Sequence, residues 1–194
     1  MGGILVLIGI LAGVLAGAGR SWSNNLRWAL FITLCYGALG LADDLLNIIE
    51  HRSLGLKARY KLLGEVFFGG LLGLFVIQSG GMETLAVPYF SAHLALINPI
   101  ITFLFIVFTM VAMTNAVNLT DGLDGLAGGT SIIAGLAMGI LAVFQGEYGL
   151  GILAAALVGA CLGFMWYNAP PAQVFMGDTG SLGLGAALGA IGLL

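Results

Sequence analysis

The sequence predicts an all-α fold, a polytopic integral membrane helical bundle with about seven transmembrane segments, and three observations carry that expectation. Of 194 residues, 60% are hydrophobic and 8% charged, against about 25% charged in soluble domains. The mean hydropathy is +1.09. Apolar runs close to the roughly 20 residues that cross a bilayer recur along the chain, and they lack the alternation of a membrane barrel. In lipid, backbone polar groups must be satisfied internally, which leaves a bundle of helices.

The elements follow in order. The first span, Gly2 to Gly19, lacks the basic start of a cleaved signal and is long enough to cross. Arg27 to Leu46, Leu62 to Gln78, Ile97 to Thr114, Thr130 to Gln145 and Tyr148 to Tyr167 come next, and Gly180 to Leu194 is a short seventh. Between the second and third, NIIEHRSLGLKARYKLLGE mixes aliphatic and basic residues, which suits an amphipathic helix at the headgroup boundary or a solvated basic loop. On the other side, METLAVPYFSAHLAL predicts a short hairpin outside the membrane, with His93 on its surface. Pro170 and Pro171 end the sixth span, since proline lacks the helical donor.

Glycine supplies 32 residues and recurs inside the apolar runs. Gly9, Gly13 and Gly17, Gly69 and Gly73, Gly159 and Gly163, and Gly185 and Gly189 each line one helix face at four-residue spacing, where a second backbone approaches closely. Such faces serve a homodimer as well as an internal bundle. Cys35 and Cys161 lie in apolar runs and read as small hydrophobes. The net charge of -3 provides no basic field, so nucleic acid is not an expected partner.

Successive spans alternate direction, so the loops after spans two, four and six share one side. Within a single transmembrane domain, 1–194, these loops cover about 43–61, 115–129 and 168–180. They hold all five aspartates of the chain, Asp43, Asp44, Asp121, Asp124 and Asp178. They also hold Arg52, Lys57, Arg59 and Lys61, against Arg20 and Arg27 opposite, which places the acidic face in the cytoplasm.

Adjacent carboxylates at a span end, as in Asp43 and Asp44, are costly unless they meet water or a cation. They read either as snorkelling acids or as part of a divalent site, since Mg²⁺ is commonly held by one or two carboxylates plus phosphate and water. In VFMGDTGSLGLG, Asp178 is flanked by Gly177 and Gly180 at the start of an apolar helix, whose free N–H groups favour phosphate; Asp178 and Thr179 also fit as helix caps. In NAVNLTDGLDGLAGG, Asp121 and Asp124 are three apart among glycines, and Asn115 and Asn118 offer donors and acceptors suited to a sugar or nucleobase. Three acidic, glycine-flanked segments on one membrane face suit the joining of phosphates at the lipid boundary, where a metal offsets the repulsion of two anions.

In this order and spacing, the three motifs resemble the polyprenyl-phosphate N-acetylhexosamine-1-phosphate transferase superfamily, of the glycosyltransferase 4 type. NAVNLTDGLDGLAGG with PAQVFMGDTGSLGLGAALG is most similar to its phospho-N-acetylmuramoyl-pentapeptide transferase branch. The resemblance implies a Mg²⁺-dependent transfer of phospho-MurNAc-pentapeptide from UDP-MurNAc-pentapeptide to undecaprenyl phosphate, giving lipid I and UMP at the cytoplasmic face of a bacterial inner membrane. It also implies a ten-span fold, of which this chain would be an internal portion.

By motif matching, the resemblance implies that Asp43 deprotonates the lipid phosphate, that Asp44 supports the metal site and that Asp178 ligates Mg²⁺. It assigns Asn118, Asp121 and Asp124 to the nucleotide and diphosphate pocket, Asn168 to a polar contact, Phe175 to stacking on uracil, and Arg59 and Lys61 to basic loop positions. Asn47 stands where the family commonly has lysine. The rival readings are a related hexosamine-1-phosphate transferase, an ion-coupled transporter and an inactive scaffold. A transporter would place its acids near span centres, whereas here they gather at span ends.

Overall fold

A computed structural model describes residues 2–19, 22–50, 56–80, 84–86, 93–95 and 98–194. It contains α1 (Gly3–Gly17), α2 (Asn24–Glu50), α3 (Ala58–Gln78), α4 (Pro99–Thr120), α5 (Leu126–Phe144), α6 (Tyr148–Asn168) and α7 (Gly177–Leu193). Between α3 and α4, β1 (Thr84–Ala86) pairs antiparallel with β2 (His93–Ala95), so the expected hairpin is present as two very short strands. Among the described residues five helices, α2 to α6, are long and apolar enough to cross a membrane. α1 and α7 have 15 and 17 residues.

Local chemistry sets the helix ends. At the start of α4 the Asn98 side chain accepts the Ile100 N–H at 2.9 Å, and Pro99 occupies a first-turn position where no intrahelical donor is needed. α6 stops where Ala169 leads into Pro170 and Pro171. The connection from α4 to α5 turns at Gly125, whose φ of 75° is the left-handed region that glycine enters without steric cost.

α7 is the axis of the bundle. Every residue from Thr179 to Ile191 is buried, in a helix built of Gly, Ala and Leu. The small side chains let neighbouring backbones close in: a Cβ at Gly40 of α2 would lie 2.1 Å from the Asp178 carbonyl, and one at Gly3 of α1 would lie 2.2 Å from the Gly180 nitrogen. A Cβ at Gly185 would stand 2.6 Å from the Thr114 Cα of α4. Such contacts replace the hydrophobic drive that lipid removes. The glycine stripe of α1 is used in the same way against Ala160, Ala156 and Ile152 of α6, and Gly69 and Gly73 face α4, whereas Gly159 and Gly163 meet nothing within 4 Å.

The helices run further at the acidic end than the hydropathy runs do. α2 continues to Glu50, and α3 begins at Ala58, so the residues expected to form an interfacial helix are divided between two longer helices. The apolar side chains of Leu45, Ile48 and Ile49 continue the pattern and are exposed on the outside of α2. Asp43 and Asp44 therefore lie within a helix, not at a loop mouth, and Asn115 and Asn118 occupy the last turns of α4. Arg20 and Arg52 lie outside the described residues.

Candidate active site

Asp44 organises this end of the bundle. Its Oδ1 accepts the Asp178 N–H at 3.1 Å; its Oδ2 accepts the Thr179 N–H at 3.0 Å and the Thr179 hydroxyl at 2.6 Å. A helix start carries unpaired N–H groups and a partial positive charge, so a carboxylate delivered from α2 caps α7 across 134 residues of sequence. Gly177, with φ of 73°, makes the turn into the helix, and a Cβ there would sit 2.9 Å from Asp44 Oδ2. Only a glycine suits both the conformation and the space.

The cap fixes where Asp178 points. Its Oδ1 accepts the Asn118 amide of α4 at 2.8 Å, and its Oδ2 accepts the Lys61 ammonium of α3. Lys61 Nζ also lies 3.6 Å from Asp43 Oδ2 and 3.5 Å from Asn118 Oδ1, and the Asp43 and Asp178 carboxyls are within interaction range of each other. Four helices thus deliver one ammonium and three oxygen-bearing side chains to one point. Asp43 is held by the Leu56 N–H on its other oxygen and is 6% exposed. Asn118 further donates to Ser181 Oγ at 2.8 Å, and Ser181 bonds back to the Gly177 carbonyl, bracing the first turn of α7.

The next turns carry the remaining expected residues. Asp121 Oδ2 accepts the Gly177 N–H at 3.1 Å, and Asp124 Oδ2 accepts the Ala172 N–H at 2.9 Å, so both tie the α4–α5 connection to the segment entering α7. Burial pushes the Asp121 carboxyl up to about 6; the Gly177 N–H works against that rise, and the charges of Asp178 and Asp44 add to it. Asn168 is buried, with its oxygen accepting the Gly125 N–H at 3.0 Å and its amide donating to the Val174 carbonyl at 2.9 Å. It fastens two loops to each other. Phe175 is exposed, with its carbonyl bonded to the Gly2 N–H. Arg59 is exposed, and its side chain makes no hydrogen bond or ion pair among the described residues.

Two groups in this neighbourhood were not singled out from the sequence. Ser181 resembles any small residue of a packed helix, so nothing marked it. Glu65 carried a signal that went unused: it is an acid inside the apolar run KLLGEVFFGG, one turn past Lys61. Its side chain is 1% exposed, with Oε2 accepting the Asn115 amide.

Residues 26–194 match the family described as Glycosyl transferase family 4. Three similar bacterial proteins bear the name phospho-N-acetylmuramoyl-pentapeptide-transferase. That of Desulforamulus reducens is 45% identical over 98% of this chain and 58% of its own length. That of Desulfitobacterium hafniense is 42% identical over 100% of this chain and 61% of its own. That of Moorella thermoacetica is 46% identical, with corresponding shares of 100% and 60%. The chain thus spans about three fifths of the length of these curated relatives.

Proposed function

The chain belongs to glycosyl transferase family 4, and from that premise we propose that the protein transfers phospho-MurNAc-pentapeptide from UDP-MurNAc-pentapeptide to undecaprenyl phosphate. The products are lipid I and UMP, made at the cytoplasmic face of a bacterial inner membrane. The observation that carries this reading is the meeting of Asp43, Lys61, Asn118 and Asp178 at the Asp44-capped start of α7. A transporter would need acids along a path through the bilayer, whereas Lys61, Asn118 and Asp178 stand in the terminal turns of their helices, where two anionic reactants could meet. The name that the relatives bear specifies phospho-N-acetylmuramoyl-pentapeptide as the group they transfer, which supports that transferred group over other hexosamine phosphates.

The donor set fits Mg²⁺. Asp43 Oδ2, Asp178 Oδ2 and Asn118 Oδ1 already converge on a cation, the Lys61 ammonium, and all are hard oxygen donors. Among the described residues no group of three or more His, Cys, Asp or Glu side chains is placed to hold a metal, so substrate phosphate and water would have to complete the coordination of an ion here. Asp178 and Asp43 would hold it, with Asp44 supporting the site through the α7 cap. When bound, the ion neutralises charge between two anions and so lowers the barrier to their approach.

The chain's residues have the following roles in this reading. Asp43 takes the proton of the lipid phosphate on Oδ1, the oxygen that does not face the cation position, and the phosphate oxygen then attacks the β-phosphorus of the nucleotide sugar. A new phosphorus–oxygen bond forms as the bond to the UMP oxygen breaks, and UMP leaves with that electron pair. Lys61 and Asn118 orient the phosphates, Asp121 and Asp124 shape the nucleotide pocket through the loops they fasten, and Asn168 holds those loops. Exposed Phe175 is free to stack on uracil, and Arg59 meets the anionic headgroup.

Membrane-reconstituted protein supplied with both substrates should release UMP in the presence of Mg²⁺ and not after its removal. Asp178→Ala should lower release by about a thousandfold, because both the anchoring carboxylate and the charge around the reacting phosphates are lost. Undiminished release would overturn the assignment.

A further inference from the structure

We propose that Lys61 is a two-position cation, which competes with a divalent ion for the Asp43 and Asp178 oxygens and has its second seat on Glu65. The inference rests on the metal-dependent reading above. The Lys61 ammonium takes the same oxygens, Asp43 Oδ2 and Asp178 Oδ2, that a hard cation would take. Two cations cannot share that gap. A lysine stem is long and flexible, and its ammonium is a point donor without a fixed fork, so it can exchange partners by rotation.

The second seat is visible one helical turn away. Glu65 lies four residues after Lys61, the spacing that puts two side chains on one helix face. It is 1% exposed, and while Oε2 is bonded to Asn115, the buried Oε1 has no partner. A buried carboxylate oxygen without a donor is costly, so the fold maintains it against a cost that some donor must offset. The Tyr36 hydroxyl beside it is committed to the Glu65 backbone carbonyl. Lys61 is the cation whose field reaches Glu65, from the same helix. The Asn115 bond holds the carboxyl in place, ready to receive the ammonium when it leaves Asp178.

Binding of Mn²⁺ alone to the detergent-solubilised chain, followed by electron paramagnetic resonance, tests this without any turnover. Glu65→Gln keeps an acceptor for Asn115 but removes the charge that attracts Lys61, so Mn²⁺ should bind about tenfold more weakly. Lys61→Met removes the competitor and should tighten binding by about tenfold. In the Lys61→Met background, Glu65→Gln should then have no further effect. If Glu65→Gln weakens binding equally in both backgrounds, Glu65 is a structural support only and the proposal fails. If Lys61→Met alone leaves binding unchanged or weaker, the proposal fails as well, whatever Glu65→Gln does to folding. Mn²⁺ binding with additive substitutions, or no Mn²⁺ binding by the unsubstituted chain, would sink the exchange and leave the transferase reading standing, since that reading is tested by UMP release.

Discussion

The first turn of α7 and the body of the same helix are held by opposite means. The first turn is polar and is fastened by directed bonds from α2, α3 and α4: Asp44 on its N–H groups, Lys61 and Asn118 on Asp178, and Asn118 on Ser181. The body is Gly, Ala and Leu, fastened by close approach alone, with Gly185 against Thr114 and Gly183 against Leu7. A packed apolar helix gives rigidity without chemistry, and a charged cluster gives chemistry but needs something rigid to hold its geometry. α7 joins the two in one element, so that the Asp178 carboxylate, held by Lys61 and Asn118, stands at the end of a helix whose body is buried throughout.

Three changes would break or sharpen that contrast. The largest effect is expected at the packed body. Gly185→Val would force side-chain atoms into the α4 backbone, where Thr114 Cα and the Met113 carbonyl stand 2.6 and 2.8 Å from a Cβ. Backbone cannot yield as a flexible side chain does, so about 3 kcal/mol of stability should be lost, seen as a lower thermal midpoint in detergent. An unchanged midpoint would mean that the body of α7 is not the rigid half of the pair.

Asp44→Ala removes the cap without touching the packing, and should lower stability by about 1–2 kcal/mol. UMP release should fall more than this midpoint change implies, because Asp178 loses the backbone bond that aims it. A proportional loss of both would make Asp44 an ordinary capping residue.

The smallest effect concerns Asp121. Its carboxyl titrates near 6 in the folded chain, above its ordinary value of 3.8, so the fold disfavours the ionised form. Its stabilising contribution is complete below the ordinary value and is lost as pH rises through about 6. Asp121→Asn cannot ionise, so its thermal midpoint relative to the parent chain should be higher at pH 8 than at pH 5. The same difference at both pH values would show that Asp121 is better solvated than its place beside Gly177 implies.

Much of the site was legible before any coordinates, but not all of its division of labour. Asp43, Asp44, Asn118, Asp121, Asp124 and Asp178 stood out because acids and amides are scarce in an apolar chain, and they do gather at one end. Adjacency alone does not distinguish Asp43 from Asp44, and only the resemblance gave them separate roles; in the fold one faces Lys61 and the other caps α7. Asn168 reads as a ligand contact from its motif, while its amide is spent between Gly125 and Val174. Glu65 was hidden by its neighbours, since one acid hardly alters the hydropathy of a span.

Apolar runs, their number and their alternation of direction are properties of the chain taken along its length, so composition and parity alone determined a helical membrane bundle with its five aspartates on one side. Which oxygen meets which donor depends on how each helix is rotated about its axis and how closely it approaches the next. That was decided by glycine contacts between segments far apart in sequence, Gly3 with Gly180 and Gly40 with Asp178. Hydropathy has no term for rotation or for interhelical distance, and only the packed bundle supplies them.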